Sequence, residues 1–154
     1  MPSPASDSPS RLVKRHPGLA PLSREHQHTL SIAQRLRRAT PSTAPQASAA
    51  FLAVWELEEK QHFRVEEEIL LPAYAAFGNP TSPLVITVLL DHLCIRRDAQ
   101  ALLNGAPLEV LQALGERLAA HVRLEERELF PLIEATIPEP DMRILQGRLE
   151  GVGR

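Results

Sequence analysis

The frame H-x-R-x-E-E-x-x-L-x-P occurs twice in this chain. The first copy runs His62-Phe63-Arg64-Val65-Glu66-Glu67-Glu68-Ile69-Leu70-Leu71-Pro72, and the second runs His121-Val122-Arg123-Leu124-Glu125-Glu126-Arg127-Glu128-Leu129-Phe130-Pro131. Each copy sets an imidazole four residues ahead of a carboxylate. On a helix that spacing brings both side chains to one face, one turn apart. A His/Glu pair that recurs at helical spacing points to a metal site assembled from facing helices.

Composition agrees with helices. The chain has 154 residues, 44% of them hydrophobic and only 4% aromatic, with 7 glycines. That length allows one domain with a sizeable core, and the abundance of Ala, Leu, Glu and Arg favours helix over sheet. The expected fold is all-α. A net charge of −2 shows no basic excess, so nucleic acid is not an expected partner. Cys94 is the only cysteine, which excludes an intrachain disulfide and a thiolate-rich zinc cluster and suits a reducing cytoplasm. Residues 1–10 are rich in Pro and Ser and lack the apolar run of a signal peptide. No apolar stretch reaches membrane-spanning length, so the expectation is a soluble cytoplasmic protein without a membrane partner.

The punctuation of the chain gives its elements. Residues 1–18 lack periodicity and read as a flexible or loosely docked arm, leaving 19–150 as the domain. A first helix is expected from about Pro21 to Ala39 and a linker over Thr40 to Ser48. A long second helix should run from about Ala47 to Phe77, kinked or ended near Pro72, up to the breaker Gly78 to Pro83. A third is expected from Pro83 to Leu103. A fourth opens at Pro107 and reaches about Thr136 with a kink at Pro131, and a short fifth lies around Asp141 to Leu149. Short connections imply an antiparallel up-down four-helix bundle with a short C-terminal helix.

Helical wheels place one histidine inward on each long helix. His26 lies about 40° from the centre of the apolar stripe of the first helix, whereas His28 points about 120° away. His62 and Glu66 fall inside the stripe of the second, and Glu67 and Glu68 fall outside. His92 is central on the third, while Cys94 lies on the far side of that helix. His121, Glu125 and Glu128 face inward on the fourth, with Glu126 outward. Glu67, Glu68 and Glu126 are read as solvated charge partnered by Arg64 and Arg123, His16 as a surface histidine, and Trp55 and Phe63 as packing. Four buried imidazoles and two buried carboxylates need partners, and bound cations supply them. The metal ligands expected are His26, His62, Glu66, His92, His121 and Glu125, enough for two bridged ions. Iron is the first choice, with manganese or zinc as alternatives.

These residues resemble the hemerythrin family, in particular its bacterial HHE cation-binding branch. The resemblance spans about residues 20 to 136. It is carried by Glu25-His26, His62-Phe63 with Glu66-Glu67 and Leu71-Pro72, Asp91-His92, and His121 with Glu125-Glu126 and Leu129-Phe130-Pro131. It implies a four-helix bundle holding a non-haem di-iron centre, with the four histidines as terminal ligands and Glu66 and Glu125 as bridges. Two departures separate the chain from the oxygen carriers. Arg96 stands where they have a second histidine on the third helix, and Glu125 lies four residues after His121 where they have an aspartate at five. The resemblance therefore implies a sensor or buffer of oxygen, nitric oxide or iron, more than a reversible carrier.

An enzyme that reduces peroxide or oxidises a small donor is the alternative, and a metal-free helical interaction module is a further one. Glu128 and His28 are additional candidates for the site. A ferritin-like di-iron bundle would need two Glu-x-x-His motifs. Glu59 and His62 supply one, but Leu118 stands where the second would require a glutamate before His121.

Overall fold

The computed structural model describes residues 14–152, and all regular structure within them is helical. The part of the expected arm over 1–13 lies outside the described residues. Helix α1 spans Ala20–Arg37, with Pro21 in its first turn. Helix α2 is continuous over 44–75; α-helical Ala44–Val54, Lys60–Val65 and Leu71–Ala75 are joined by π turns at Trp55–Glu59 and Glu66–Leu70. Helix α3 spans Pro83–Leu103, where Ser82 caps the start by accepting a hydrogen bond from the Val85 N–H. Helix α4 covers 108–136, with α-helical Leu108–Leu124 and Phe130–Thr136 on either side of a π turn at Glu125–Leu129. Helix α5 spans Glu139–Val152.

Two local differences from the sequence reading have physical causes. Helix α2 begins at Ala44 rather than near Ala47, because Pro45 falls in the first turn, where its missing N–H costs nothing. Pro72 and Pro131 do not end their helices, which continue to Ala75 and Thr136. Each proline follows a π turn, in which the Leu71 N–H reaches back to Glu66 O and the Phe130 N–H to Glu125 O. The wider turn accommodates a ring that would otherwise meet the carbonyl four residues back.

The core has two apolar clusters. One gathers Ile32, Leu36, Phe51, Trp55, Ile95, Leu102, Leu114 and Leu118, among others. The other gathers Leu22, Leu70, Tyr74, Val85, Val88, Leu129, Phe130 and Ile133, together with Met142 and Leu145 of α5. Each of the four long helices passes from one cluster to the other, and consecutive helices do so in opposite order. Helices α1 and α4 make the most extensive contact. At their crossing a Cβ on Gly115 would lie 2.7 Å from the Ala33 carbonyl oxygen and 2.8 Å from the Arg37 nitrogen, so only glycine fits. Gly105, at φ 80°, turns the chain from α3 towards α4.

The first described residues are docked. The Arg15 guanidinium bonds the Glu126 carbonyl and carboxylate and the Glu134 carboxylate, while His16 reaches Glu139 and accepts from the Gly18 N–H.

Candidate metal centre

Between the two apolar clusters lies a polar layer. It holds His26 of α1, His62 and Glu66 of α2, His92 of α3, and His121 and Glu125 of α4. All six are buried, and Glu66 and Glu125 are 0% exposed. Two overlapping sets form. His26, His62, Glu66 and Glu125 bring one ligand atom each within 4.8 Å of one another, and so do Glu66, His92, His121 and Glu125. Four atoms that each bind a common cation at about 2.1 Å cannot be more than about 4.2 Å apart, so these groupings are close to the size a cation needs.

The polar atoms are arranged as ligands are. The Nε2 atoms approach the carboxylate oxygens at 3.3 Å for His26 and Glu125, 3.1 Å for His62 and Glu66, 3.5 Å for His92 and Glu66, and 2.5 Å for His121 and Glu125. None of these approaches has the directionality of a hydrogen bond. The four Nε2 atoms and all four carboxylate oxygens are buried without a hydrogen-bond partner. So many orphaned polar atoms in a native core call for an explanation, and an ion at their common focus is one.

The opposite ring nitrogens are all engaged. His62 Nδ1 pairs with Glu25 at 2.5 Å, His92 Nδ1 with Glu67 at 3.1 Å, His121 Nδ1 with Asp91 at 3.1 Å, and His26 Nδ1 with Glu126 at 2.6 Å. Each acid sits on the preceding helix of the ring, so α1 holds the histidine of α2, α2 that of α3, α3 that of α4, and α4 that of α1. A carboxylate on Nδ1 fixes the tautomer, leaves Nε2 free as a donor of electrons, and raises its basicity. Three of the acids are held in turn by arginines: Glu67 by Arg96 at 2.7 Å, Glu126 by Arg15 at 3.1 Å, and Asp91 by Arg117 at 3.9 Å. Phe63 lies flat on His92, ring centroids 3.9 Å apart, and Phe130 stacks on His26 at 5.4 Å.

Without cations this layer attracts protons. Burial pulls the imidazoles down, but the carboxylates around them prevail. The Glu125 and Glu126 carboxylates lift His26 to about 9, those of Glu125 and Glu66 lift His92 to about 9, and the Glu125 charge and the Asp91 bond lift His121 to about 10. His62 is raised well above its ordinary value against its burial, chiefly by the Glu66 charge. Burial would raise Glu125, yet the His121 charge and the nearby His26 hold it well below the carboxylate range.

The structure brings together the six side chains singled out in the sequence. His28 is turned to the surface and pairs with Glu58. Glu128, expected inward, is exposed. The π turn at Glu125–Leu129 explains this, because its extra residue rotates Glu128 off the face that an α-helix would give it. Glu67 and Glu126 are not merely solvated charge; each orients a histidine on another helix. Glu25 and Asp91 have the same role. The signal was present in the sequence as an acid directly beside each inward residue, in Glu25-His26, Glu66-Glu67, Asp91-His92 and Glu125-Glu126. A neighbour in sequence is turned by about 100° on a helix, which aims it at the next helix and not at solvent.

Comparisons with curated proteins and with solved structures return no match. The family described as Hemerythrin HHE cation binding domain matches residues 18–133, about three-quarters of the chain. Its span contains all six inward ligand candidates and the four acids behind them, and the chain belongs to this cation-binding hemerythrin family.

Proposed function

We propose that the chain is a non-haem di-iron protein that senses or buffers oxygen, nitric oxide or iron. His26 and His62 hold one ion, His92 and His121 hold the other, and Glu66 and Glu125 bridge them. Iron supplies redox change and coordination positions open to a small ligand, and manganese or zinc would suit the same donors. The observation that carries the reading is the set of eight buried, unpartnered nitrogen and oxygen atoms turned to a common layer. The scaffold in this reading is an antiparallel up-down four-helix bundle over 19–150, with residues 1–18 as an arm; the opposite order in which consecutive helices join the two apolar clusters supports it. A reducing cytoplasm is the proposed setting, supported by the single free Cys94.

The residues of the chain do the selecting. The carboxylates behind Nδ1 keep the imidazoles aimed, Phe63 and Phe130 cover His92 and His26, and the burial of the layer favours ligands of two or three atoms. One observation favours a second reading, an enzyme that reduces peroxide or oxidises a small donor. A cleft of about 490 Å³ between α1, α2 and α5 reaches Glu25 and the edge of His62, with Leu57, Leu149 and Val152 on its walls.

The test is metal analysis with an optical spectrum before and after oxygen. Protein expressed with ample iron is expected to carry close to two irons per chain and to show oxo-bridged ferric absorption, both lost in His62→Ala and Glu125→Ala. Metal content near zero would reject the reading. Steady turnover of peroxide, in place of a stoichiometric reaction, would favour the enzyme.

A further inference from the structure

The rings of His26 and His92 are braced alike. On each, a carboxylate holds Nδ1 and a phenylalanine lies against the face: Glu126 and Phe130 for His26, Glu67 and Phe63 for His92. One guanidinium then touches both parts of each brace. Arg96 bonds the Glu67 carboxylate at 2.7 Å and lies 5.7 Å from the centre of the Phe63 ring, while Arg15 bonds the Glu126 carboxylate at 3.1 Å and lies 5.3 Å from the centre of the Phe130 ring. The two arginines differ in where they stand. Arg96 belongs to α3, whereas Arg15 precedes α1 and lies outside the bundle helices. Arg15 also supplies a donor that α4 lacks. In the π turn Glu125–Leu129 the Phe130 N–H serves Glu125 O, and the next residue, Pro131, has no N–H. The Glu126 carbonyl thus loses both donors that the helix could offer it in sequence, and Arg15 Nη2 donates to it at 2.8 Å. Nη1 meets the Glu134 carboxylate at 3.1 Å, so one fork spans a main-chain carbonyl and two acids of α4. A lysine ammonium, a compact point charge, cannot reproduce that span.

We propose that Arg15 is a positioning residue for the ion held by His26 and His62: it fixes Glu126 and Phe130, through them the aim of His26 Nε2, and so tunes one of the two ions separately from the other. The inference rests on the two-cation reading. Arg15 touches none of the six ligand candidates, and its charge alone predicts the opposite effect, because removing a nearby cation favours the binding of a metal ion. That charge is already met by the carboxylates of Glu126 and Glu134, so what the loss of Arg15 changes is geometry. The sign of the change in affinity therefore separates positioning from electrostatics.

The experiment compares wild type, Arg15→Ala, Arg15→Lys and Arg96→Ala as full chains, by Zn²⁺ titration against a chelator and by NMR of the histidine Nδ1–H protons in ¹⁵N-labelled protein. R15A is expected to bind two Zn²⁺ with one of the two affinities lowered about 3- to 10-fold, less than the loss of Glu126 itself would cause. Its His26 Nδ1–H signal should shift or broaden, with and without zinc, while that of His121 stays in place. R15K keeps the charge without the fork and should behave like R15A, and R96A should move the His92 signal and the other affinity. An R15A affinity that is unchanged or raised, an unmoved His26 signal, or full recovery in R15K would overturn the proposal and leave the two-cation reading intact. Wild type that holds neither Zn²⁺ nor Fe²⁺ would instead overturn that reading, and the assignment of Arg15 to one ion with it.

Discussion

An imidazole that binds a cation must present a bare Nε2, and here the means of doing so is a carboxylate on the far nitrogen. Replacing one of these acids should weaken binding without abolishing it. Glu126→Ala or Glu67→Ala is expected to lower metal affinity about 10- to 100-fold while saturating stoichiometry stays at the wild-type value, as read by competition with a chelator. Glu68→Ala, on the same helix but exposed, should change nothing. The protons that occupy the empty layer give a second expectation. His26, His92 and His121 have folded values of about 9, 9 and 10 against an ordinary 6.5. Their contribution to stability is complete below 6.5 and is lost as pH rises through 9 to 10. Glu125, held low, contributes above its ordinary 4.5 and loses that contribution as pH falls below it. Metal-free protein should therefore melt highest between about pH 4.5 and 6.5, and metal affinity should climb as pH rises above that window because ligands must shed their protons.

The six inward positions could be read from the sequence because three of the four helices keep α-helical phase up to their buried histidines, so a wheel drawn through Leu22, Leu118 or Val88 points the right way. Phase fails after Glu125, where a π turn adds a residue and sends Glu128 outward; a wheel carries no term for that. The two turns that begin at Glu66 and Glu125 each precede a proline by the same six residues, so the repeated frame encodes the bulge as well as the ligand pair. The outer acids were misread for a different reason. Assigning every residue to core or solvent leaves no place for a side chain on the seam between two helices. At the element scale the α1–α4 contact is also exacting. Gly115→Ala should gain about 1 kcal/mol in helix propensity and lose more in the clash with the Ala33 carbonyl, for a net destabilisation of about 1–2 kcal/mol and a lower Tm in both metal-free and loaded protein.

For the molecule as a whole, the polar layer separates two apolar clusters that would otherwise form a single core. A bundle interrupted in this way is stable only if the layer is satisfied, so ligand linkage should be large. Adding iron to metal-free protein is expected to raise Tm progressively, by about 2.7 kcal/mol of stability at a free concentration 100 times the Kd, and a strong chelator should reverse it. A Tm indifferent to both would mean that the side chains satisfy one another.

The ring of acids also discriminates between two ways of arranging the same helices. On α1 and α3 the steering acid precedes the inward residue, and on α2 and α4 it follows, so all four reach around the bundle in one rotational sense. Were α2 to pack on the other side of α1, every one of these carboxylates would face away from the imidazole it serves. Handedness, which loop lengths leave nearly undetermined in a bundle of this kind, is thus written into four residues that belong to neither apolar cluster of the core.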